Sequence, residues 1–274
     1  MCFICNQKSG FETDIAQIIQ LSKNPSLKLN ASNKSSLTIQ DILSPTWFDD
    51  DLKQFPYDST YYQWQYADNT FNEKFTYYIN DDYEQIDIYN IDGSLSEESQ
   101  SAIPISNDVE RYINSVFTNL DPKLDIDFKR VYSNNDADVS IYKTSGMGDD
   151  VGSAYTSIVD QINDTTFTLR YQVFWRETLN QSQFLDNYGN LSIDTAHTIK
   201  HEIAHALDLN HSGLPGYENL IDPWNSRYGW EDTIMSYNTD SLVANDLAPR
   251  FTDLDIQALQ FKWGTEKATT STST

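Results

Sequence analysis

The chain has 274 residues, with 18 lysines and arginines against 41 aspartates and glutamates, so its formal net charge is −23. A chain this acidic repels the phosphates of nucleic acids and anionic membranes, and we expect neither as a partner. No stretch approaches the roughly 18 apolar residues needed to cross a bilayer, and the length allows one domain with a sizeable core plus an additional segment.

The first 68 residues are rich in asparagine, serine, lysine and aspartate, and they predict a leader or pro-segment of low order. Both cysteines of the chain, Cys2 and Cys5, lie in this segment as a C-x-x-C pair. They are either exposed thiols or a disulfide in a frayed chain end, or a pair of thiolates that ligates a metal. The N-terminus has neither the basic region nor the apolar run of a secretory signal.

Residues 69–265 show the succession of strand and helix patterns expected of one folded domain, and residues 266–274 form a short polar tail. A helix is predicted over Asn107–Phe117, where apolar side chains recur on one side. The loop Gly146–Ser157 is predicted to lead into an edge strand around Tyr155. Further strands are predicted over Lys74–Ile79, Leu124–Tyr132, Asp138–Lys143 and Thr166–Trp175.

Three of the four histidines lie in the segment H-E-I-A-H-A-L-D-L-N-H, which runs from His201 to His211. On a helix, residues four apart share a face, so His201 and His205 can offer two imidazole nitrogens to one zinc ion. Glu202 lies about 100 degrees around the helix, beside the metal without being forced to ligate it. This geometry suits a general base that acts on a zinc-bound water.

A helix is predicted to begin at Ser192 or Asp194, either of which can cap its N-terminus. This helix cannot extend to His211, which lies six residues after His205 and would not share its face. The chain must therefore leave the helix near Asp208 and turn back so that His211 reaches the metal. The apolar stripe expected to pack on the core comprises Ala196, Ile199, Ile203 and Leu207.

The segment His201–His211 resembles the long zinc motif H-E-x-x-H-x-x-G-x-x-H of the metzincin metalloproteases. A second segment, D-T-I-M-S-Y over Asp232–Tyr237, is similar to the Met-turn of the serralysin branch, whose sequence is close to S-I-M-S-Y. A third segment, Phe251–Gly264, resembles the amphipathic helix that closes a serralysin catalytic domain. The apolar residues expected on the buried side of this helix are Leu254, Ala258, Leu259 and Phe261.

The chain departs from the family pattern at the exit from the motif helix. Asp208 stands where the motif has glycine, a residue that suits a left-handed exit. Aspartate visits that conformation at a cost on the order of 1 kcal/mol, so the substitution is compatible with the resemblance. After the third histidine the chain has Ser212, where serralysins usually have proline, and no glycine-rich calcium-binding repeats follow.

The resemblance implies an α+β fold of the metzincin (zincin-like) type. Such a fold has a twisted, mostly parallel sheet with an antiparallel edge strand, two long helices, and an active-site cleft above a small irregular C-terminal subdomain. An extended substrate would pair with the edge strand, which we place near Ser153–Ser157.

The resemblance also implies a role for each site residue in the hydrolysis of a peptide bond. Glu202 is then the general base, and Met235 forms a hydrophobic floor beneath the metal. Tyr237 is a displaceable further zinc ligand that also hydrogen-bonds the tetrahedral intermediate. The three zinc ligands of the motif are His201, His205 and His211.

Three further features leave alternatives open. His197, one turn before the motif, is either an ordinary polar helix position or a fourth ligand. By analogy with the cysteine switch of matrix metalloproteases, a thiolate of Cys2 or Cys5 could occupy the open zinc position and keep the enzyme latent. The acidic loops Asp49–Asp51 and Asp149–Asp150 either bind calcium or form a solvated acidic surface.

The sequence therefore predicts a secreted zinc metalloendopeptidase, a monomer whose partner is a protein or peptide substrate, with an export route that the sequence leaves open. Two other functions fit the same residues. One is a zinc-binding interaction or toxin-associated module that has lost cleavage, and the other is a zincin hydrolase that acts on a non-protein amide. The intact Glu202 and Tyr237 favour catalysis.

Overall fold

The structure is a computed structural model that describes residues 36–43, 74–90, 93–148, 150–163, 166–177, 184–185, 187–212, 220–238 and 249–266. The predictions for Cys2, Cys5, the acidic loop Asp49–Asp51 and Asp149 lie outside these residues. In chain order the main elements are β1 (Lys74–Ile79), β2 (Glu84–Tyr89), β3 (Leu95–Ile103), α1 (Asn107–Leu120), β4 (Asp127–Arg130), β5 (Val139–Thr144), β6 (Gly152–Asn163), β7 (Thr166–Trp175), α2 (Ile193–Ala206) and α3 (Asp253–Trp263).

The strands form one mixed sheet with a parallel centre. β1 pairs in parallel with β4 and with β5, and β5 pairs in parallel with β7. β6 runs antiparallel to β7, and within the described residues β7 is its only strand partner, so β6 is an edge strand. The fold is therefore of the α+β class, and the predicted edge strand around Tyr155 is confirmed.

A hairpin that the sequence analysis did not predict covers one face of the sheet. β2 and β3 pair antiparallel, and β3 also pairs with the end of β5. Only β2 carries a hydrophobic period, with Ile86 and Ile88 buried against Tyr142. β3 is dominated by serine, glutamate and glutamine, so its strand conformation comes from backbone pairing and not from a pattern of apolar side chains.

The helices pack on the opposite face of the sheet and enclose the main hydrophobic core. Helix α1 follows the prediction and continues to Leu120. Its Tyr112 hydroxyl donates a hydrogen bond to the carbonyl of Ala196 in α2, at 2.8 Å. No helix in the described part of the chain is long and apolar enough to span a membrane. The predicted apolar side of α1 is buried and comprises Val109, Tyr112, Ile113 and Val116.

Helix α3 is confirmed, and its predicted buried side is correct in part, because Ala258 and Leu259 are fully buried. Phe261 is 52% exposed, so its assignment to the core is wrong, and Leu254 is only partly buried. The buried positions are spaced by three and four residues and include two charged side chains. Apolarity alone therefore identified Ala258 and Leu259 but not the charged side chains that share their buried side. The buried residues of α3 are Asp255, Ala258, Leu259, Lys262 and Trp263.

Tyr112→Phe should lower the free energy of unfolding by about 1 kcal/mol, because it removes one buried hydrogen bond between α1 and α2 and leaves the Ala196 carbonyl without that donor. Urea denaturation measures the change. Tyr132→Phe is the matched control, since Tyr132 is 85% exposed. Equal losses in the two variants would contradict a stabilising role for the Tyr112 hydroxyl.

Candidate metal centre

Helix α2 begins as a capped, fully packed helix. Of the two predicted caps, the structure selects Ser192, whose side chain accepts a hydrogen bond from the backbone N–H of Thr195 at 3.1 Å. The predicted apolar stripe is confirmed, because all four of its members are inaccessible to solvent. These are Ala196, Ile199, Ile203 and Leu207.

The chain leaves α2 where the sequence required it to. The helix ends at Ala206, and Asp208 has a φ of +79°, the one positive value at a non-glycine residue in the described part of the chain. The backbone N–H of Leu209 then bonds back to the carbonyl of Ala204 at 3.0 Å. This reversal carries His211 back to the first two histidines, as predicted.

Three buried histidines converge on one point. One ring nitrogen from each of His201, His205 and His211 lies within 4.8 Å of the other two. The Nε2 atoms of His201 and His205 are 3.1 Å apart. Within the described residues this is the one cluster of three or more His, Cys, Asp or Glu side chains placed to hold an ion.

Backbone carbonyls orient all three imidazoles. A carbonyl oxygen can only accept, so each Nδ1 that contacts one must carry the hydrogen, and each Nε2 is left with a lone pair. Metal-bound histidines have this arrangement, in which the distal N–H is fixed by a hydrogen bond. The contacts join Nδ1 of His201 to the Ile234 oxygen at 2.9 Å, Nδ1 of His205 to the Leu209 oxygen at 2.9 Å, and Nδ1 of His211 to the Ser212 oxygen at 2.8 Å.

Burial keeps these imidazoles neutral. It lowers the pKa of His205 to about 3 and that of His211 to about 4, and it holds the pKa of His201 well below its usual range. Desolvation is the main cause in each case. Neutral imidazoles with convergent lone pairs repel one another unless a cation lies between them, so this donor set fits a divalent metal.

Glu202 lies next to this cluster with one oxygen unsatisfied. The residue is 2% exposed, and its Oε2 has no hydrogen-bond partner among the described residues. Burial raises the pKa of its carboxyl well above its usual range, and the nearby charge of Asp150 raises it further. A buried carboxyl with a free oxygen is suited to bind and deprotonate a water molecule.

The space for Glu202 depends on Gly152 at the start of the edge strand. A Cβ at Gly152 would lie 2.4 Å from Oε1 of Glu202 and 2.7 Å from Cγ2 of Thr198. Such distances are shorter than van der Waals contact, so only glycine allows β6 to approach α2 this closely.

Tyr237 brings a hydroxyl to the third histidine. Its oxygen lies 2.9 Å from Nε2 of His211, and because that nitrogen has no hydrogen the tyrosine donates. The half-exposed ring of Trp224 packs edge-on against Tyr237, with 4.9 Å between centroids. Met235 is fully buried in the main core; its role as a floor under the metal stays a prediction.

The turn that carries Met235 is held by Asp255 of α3, a residue that the sequence analysis missed. The fully buried Asp255 carboxylate accepts hydrogen bonds from the Thr233 hydroxyl at 2.6 Å and from the Ile234 N–H at 3.0 Å. The Ile234 carbonyl is the acceptor for His201. The capping-box spacing of Thr252 and Asp255 was the signal in the sequence.

Residues near the N-terminus brace the loop before His211. The Ile42 carbonyl accepts a hydrogen bond from the N–H of Asn210 at 2.7 Å, and Leu43 forms a β-bridge with Leu209. Both Ile42 and Leu43 are fully buried. This described part of the predicted leader therefore packs into the core beside the histidine cluster.

His197 is not part of the converging group. Its ring is buried and stacks on Trp230, with 4.0 Å between centroids and an angle of 8° between the planes. His197 is thus a buried polar position of the helix, and it is not placed with the three convergent nitrogens.

Comparisons with known proteins add no identification. No protein-family model matches the chain, and no curated protein matches it. A solved structure described as the GM1 bound form of the ECX AB5 holotoxin is 17% identical, covers 72% of this chain and 83% of its own, and superposes with a TM-score of 0.39. A similarity this low supports no statement about fold or function.

His211→Gln should abolish stoichiometric binding of a divalent transition metal, because it removes one of three ligand nitrogens. His197→Gln should retain it, since His197 lies outside the cluster. Elemental analysis of the purified, folded variants measures both. Loss of metal from folded His197→Gln, or its retention in His211→Gln, would contradict this ligand set.

Proposed function

We propose that this chain is a zinc-dependent endopeptidase of metzincin type, secreted and active on proteins or peptides. The observation that carries the proposal is the convergence of three Nε2 lone pairs beside a buried carboxyl with an unsatisfied oxygen. A structural zinc site is normally closed by four protein ligands, whereas three imidazoles leave a position open for chemistry.

The donor set supports zinc. Neutral imidazole is a preferred ligand of zinc, and a site of three histidines with an acidic neighbour is typical of zinc hydrolases. When bound, such an ion supplies Lewis acidity and lowers the pKa of water from about 16 to roughly 7. His201, His205 and His211 would hold it.

Glu202 supplies the acid–base chemistry of the proposed reaction. Its free carboxylate oxygen accepts a proton from the attacking water, and the protonated carboxyl then gives that proton to the departing amine. The raised pKa of Glu202 favours the first step, because a carboxylate with a higher pKa is a stronger base towards the proton of the water. The peptide C–N bond breaks, and a carboxylate and an amine are released.

Tyr237 supplies a hydrogen-bond donor to the same reaction. Its hydroxyl is directed at the metal cluster through its contact with His211. A donor at this place stabilises the negative charge that develops on the substrate carbonyl oxygen. This is the role that the metzincin resemblance implies for Tyr237.

The edge strand supports a polypeptide as the substrate in preference to a non-protein amide. β6 begins at Gly152, whose backbone lies against Glu202. An extended peptide that pairs with this strand would be held by backbone hydrogen bonds beside the general base. The antiparallel edge strand and helix α2 support the proposed metzincin type.

Glu202→Gln should reduce hydrolysis of a quenched peptide by about 10²- to 10⁴-fold, the usual contribution of general acid–base catalysis. The amide has nearly the same shape as the carboxyl, so zinc content and thermal stability should be unchanged. Casein zymography and elemental analysis test the three candidate functions together. Zinc in a wild-type chain that cleaves neither casein nor the quenched peptide would refute the endopeptidase and leave the non-cleaving module and the hydrolase of a non-protein amide, which assays on non-protein amides then separate. Chelator-sensitive cleavage retained in Glu202→Gln would refute the assigned base.

Gly152→Ala should lower the rate of peptide hydrolysis by at least about tenfold, because the added Cβ displaces the Glu202 carboxyl. A catalytic group that is displaced by about 1 Å can lower the rate about 10²-fold. Zinc content should persist, since no histidine is contacted. Gly146→Ala is the control, because a Cβ there meets nothing within 4 Å. Steady-state kinetics measures both variants, and equal activity in the two would contradict the close approach of β6 to Glu202.

A further inference from the structure

The exit from the metal-binding helix contains a buried ion pair. Asp208, at the left-handed turn, places its Oδ2 2.5 Å from Nζ of Lys262 in α3. The side chain of Lys262 is fully buried, and that of Asp208 is 9% exposed. The pair thus joins the C-terminal helix to the residue that reverses the chain between His205 and His211.

The position is energetically unfavourable for both residues. An aspartate at φ +79° adopts a conformation that glycine adopts without strain. A buried lysine loses its hydration, and burial lowers the pKa of Lys262 to about 8 although Asp208 opposes that shift. Removing either partner would take the oppositely charged neighbour away from the other buried charge, which is strongly unfavourable.

A second contact from the same helix holds the preceding residue. The indole N–H of Trp263 donates to the carbonyl of Leu207 at 3.0 Å, and the Lys262 ammonium lies 4.6 Å from the centre of the Trp263 ring. Two successive residues of α3 therefore contact two successive residues of the turn. The turn determines the position of Leu209, whose carbonyl orients His205.

We propose that Asp208 and Lys262 are a positioning pair that sets the third metal ligand, in place of the glycine that would otherwise set the turn. A glycine reverses the chain by its own conformational freedom, whereas here the ion pair holds a non-glycine residue in the required conformation. This inference rests on the proposed metal centre, and it is independent of which substrate the site cleaves.

A double-mutant cycle tests the pair on the full-length chain. Asp208→Gly and Lys262→Met should each weaken zinc affinity by about 10- to 100-fold, the usual effect of disturbing groups that orient metal ligands. The double variant should recover to within about threefold of the wild type, because glycine sets the turn without strain and methionine fills the space without a charge. Competition with a chromophoric chelator measures the affinity.

Two further measurements separate positioning from general stabilisation. The absorption spectrum of the cobalt-substituted protein reports the ligand geometry, and it should change in each single variant and return in the double. Where a single variant fails to fold, Asp208→Asn, which also tolerates the left-handed turn, replaces Asp208→Gly, and Lys262→Gln replaces Lys262→Met. Lys129→Met is the control at an exposed lysine.

The outcomes distinguish this inference from the proposed function. Single variants that unfold more easily but bind zinc with unchanged affinity and spectrum would show a merely structural pair and overturn the inference. Additive losses in the double variant would overturn it as well. A wild-type chain that binds no zinc would instead refute the metal centre itself.

Discussion

The histidine cluster depends on one backbone reversal, because a spacing of six residues does not place His205 and His211 on one face of a helix. The left-handed conformation at Asp208 ends α2 and returns the chain within one turn. A residue with a Cβ is strained there, and the surrounding structure must hold it. Here the turn is held by side chains of Lys262 and Trp263 in α3 and by a backbone hydrogen bond to Ile42 near the N-terminus.

The imidazoles are orientated by backbone carbonyls, which is why the site is so closely tied to the fold. The acceptors belong to the turn that carries Met235, to the loop that follows α2 and to Ser212, the residue after the last histidine of the cluster. Carbonyl positions follow from the path of the chain, so each ring is fixed by tertiary structure and not by a neighbouring side chain. The same dependence explains Asp255, which acts on His201 through the backbone of Ile234.

The buried side of helix α3 carries two charged residues, Asp255 and Lys262. They contact the two irregular segments that surround the three histidines. A helix whose buried face were purely apolar could cover these segments but could not satisfy their polar groups. These polar contacts determine the rotation of the helix about its axis, and this rotation leaves Phe261 exposed.

The sequence by itself determined the elements whose pattern is local: the strands β1 and β7, helices α1 and α2, and the spacing that requires a turn at Asp208. It did not reveal the hairpin β2–β3, because β3 has no hydrophobic period. It also placed Phe261 in the core and not Lys262, because hydropathy ranks phenylalanine above lysine. Only the tertiary structure decided which charged side chains are buried, since a buried charge is stable only when a distant part of the chain brings its partner.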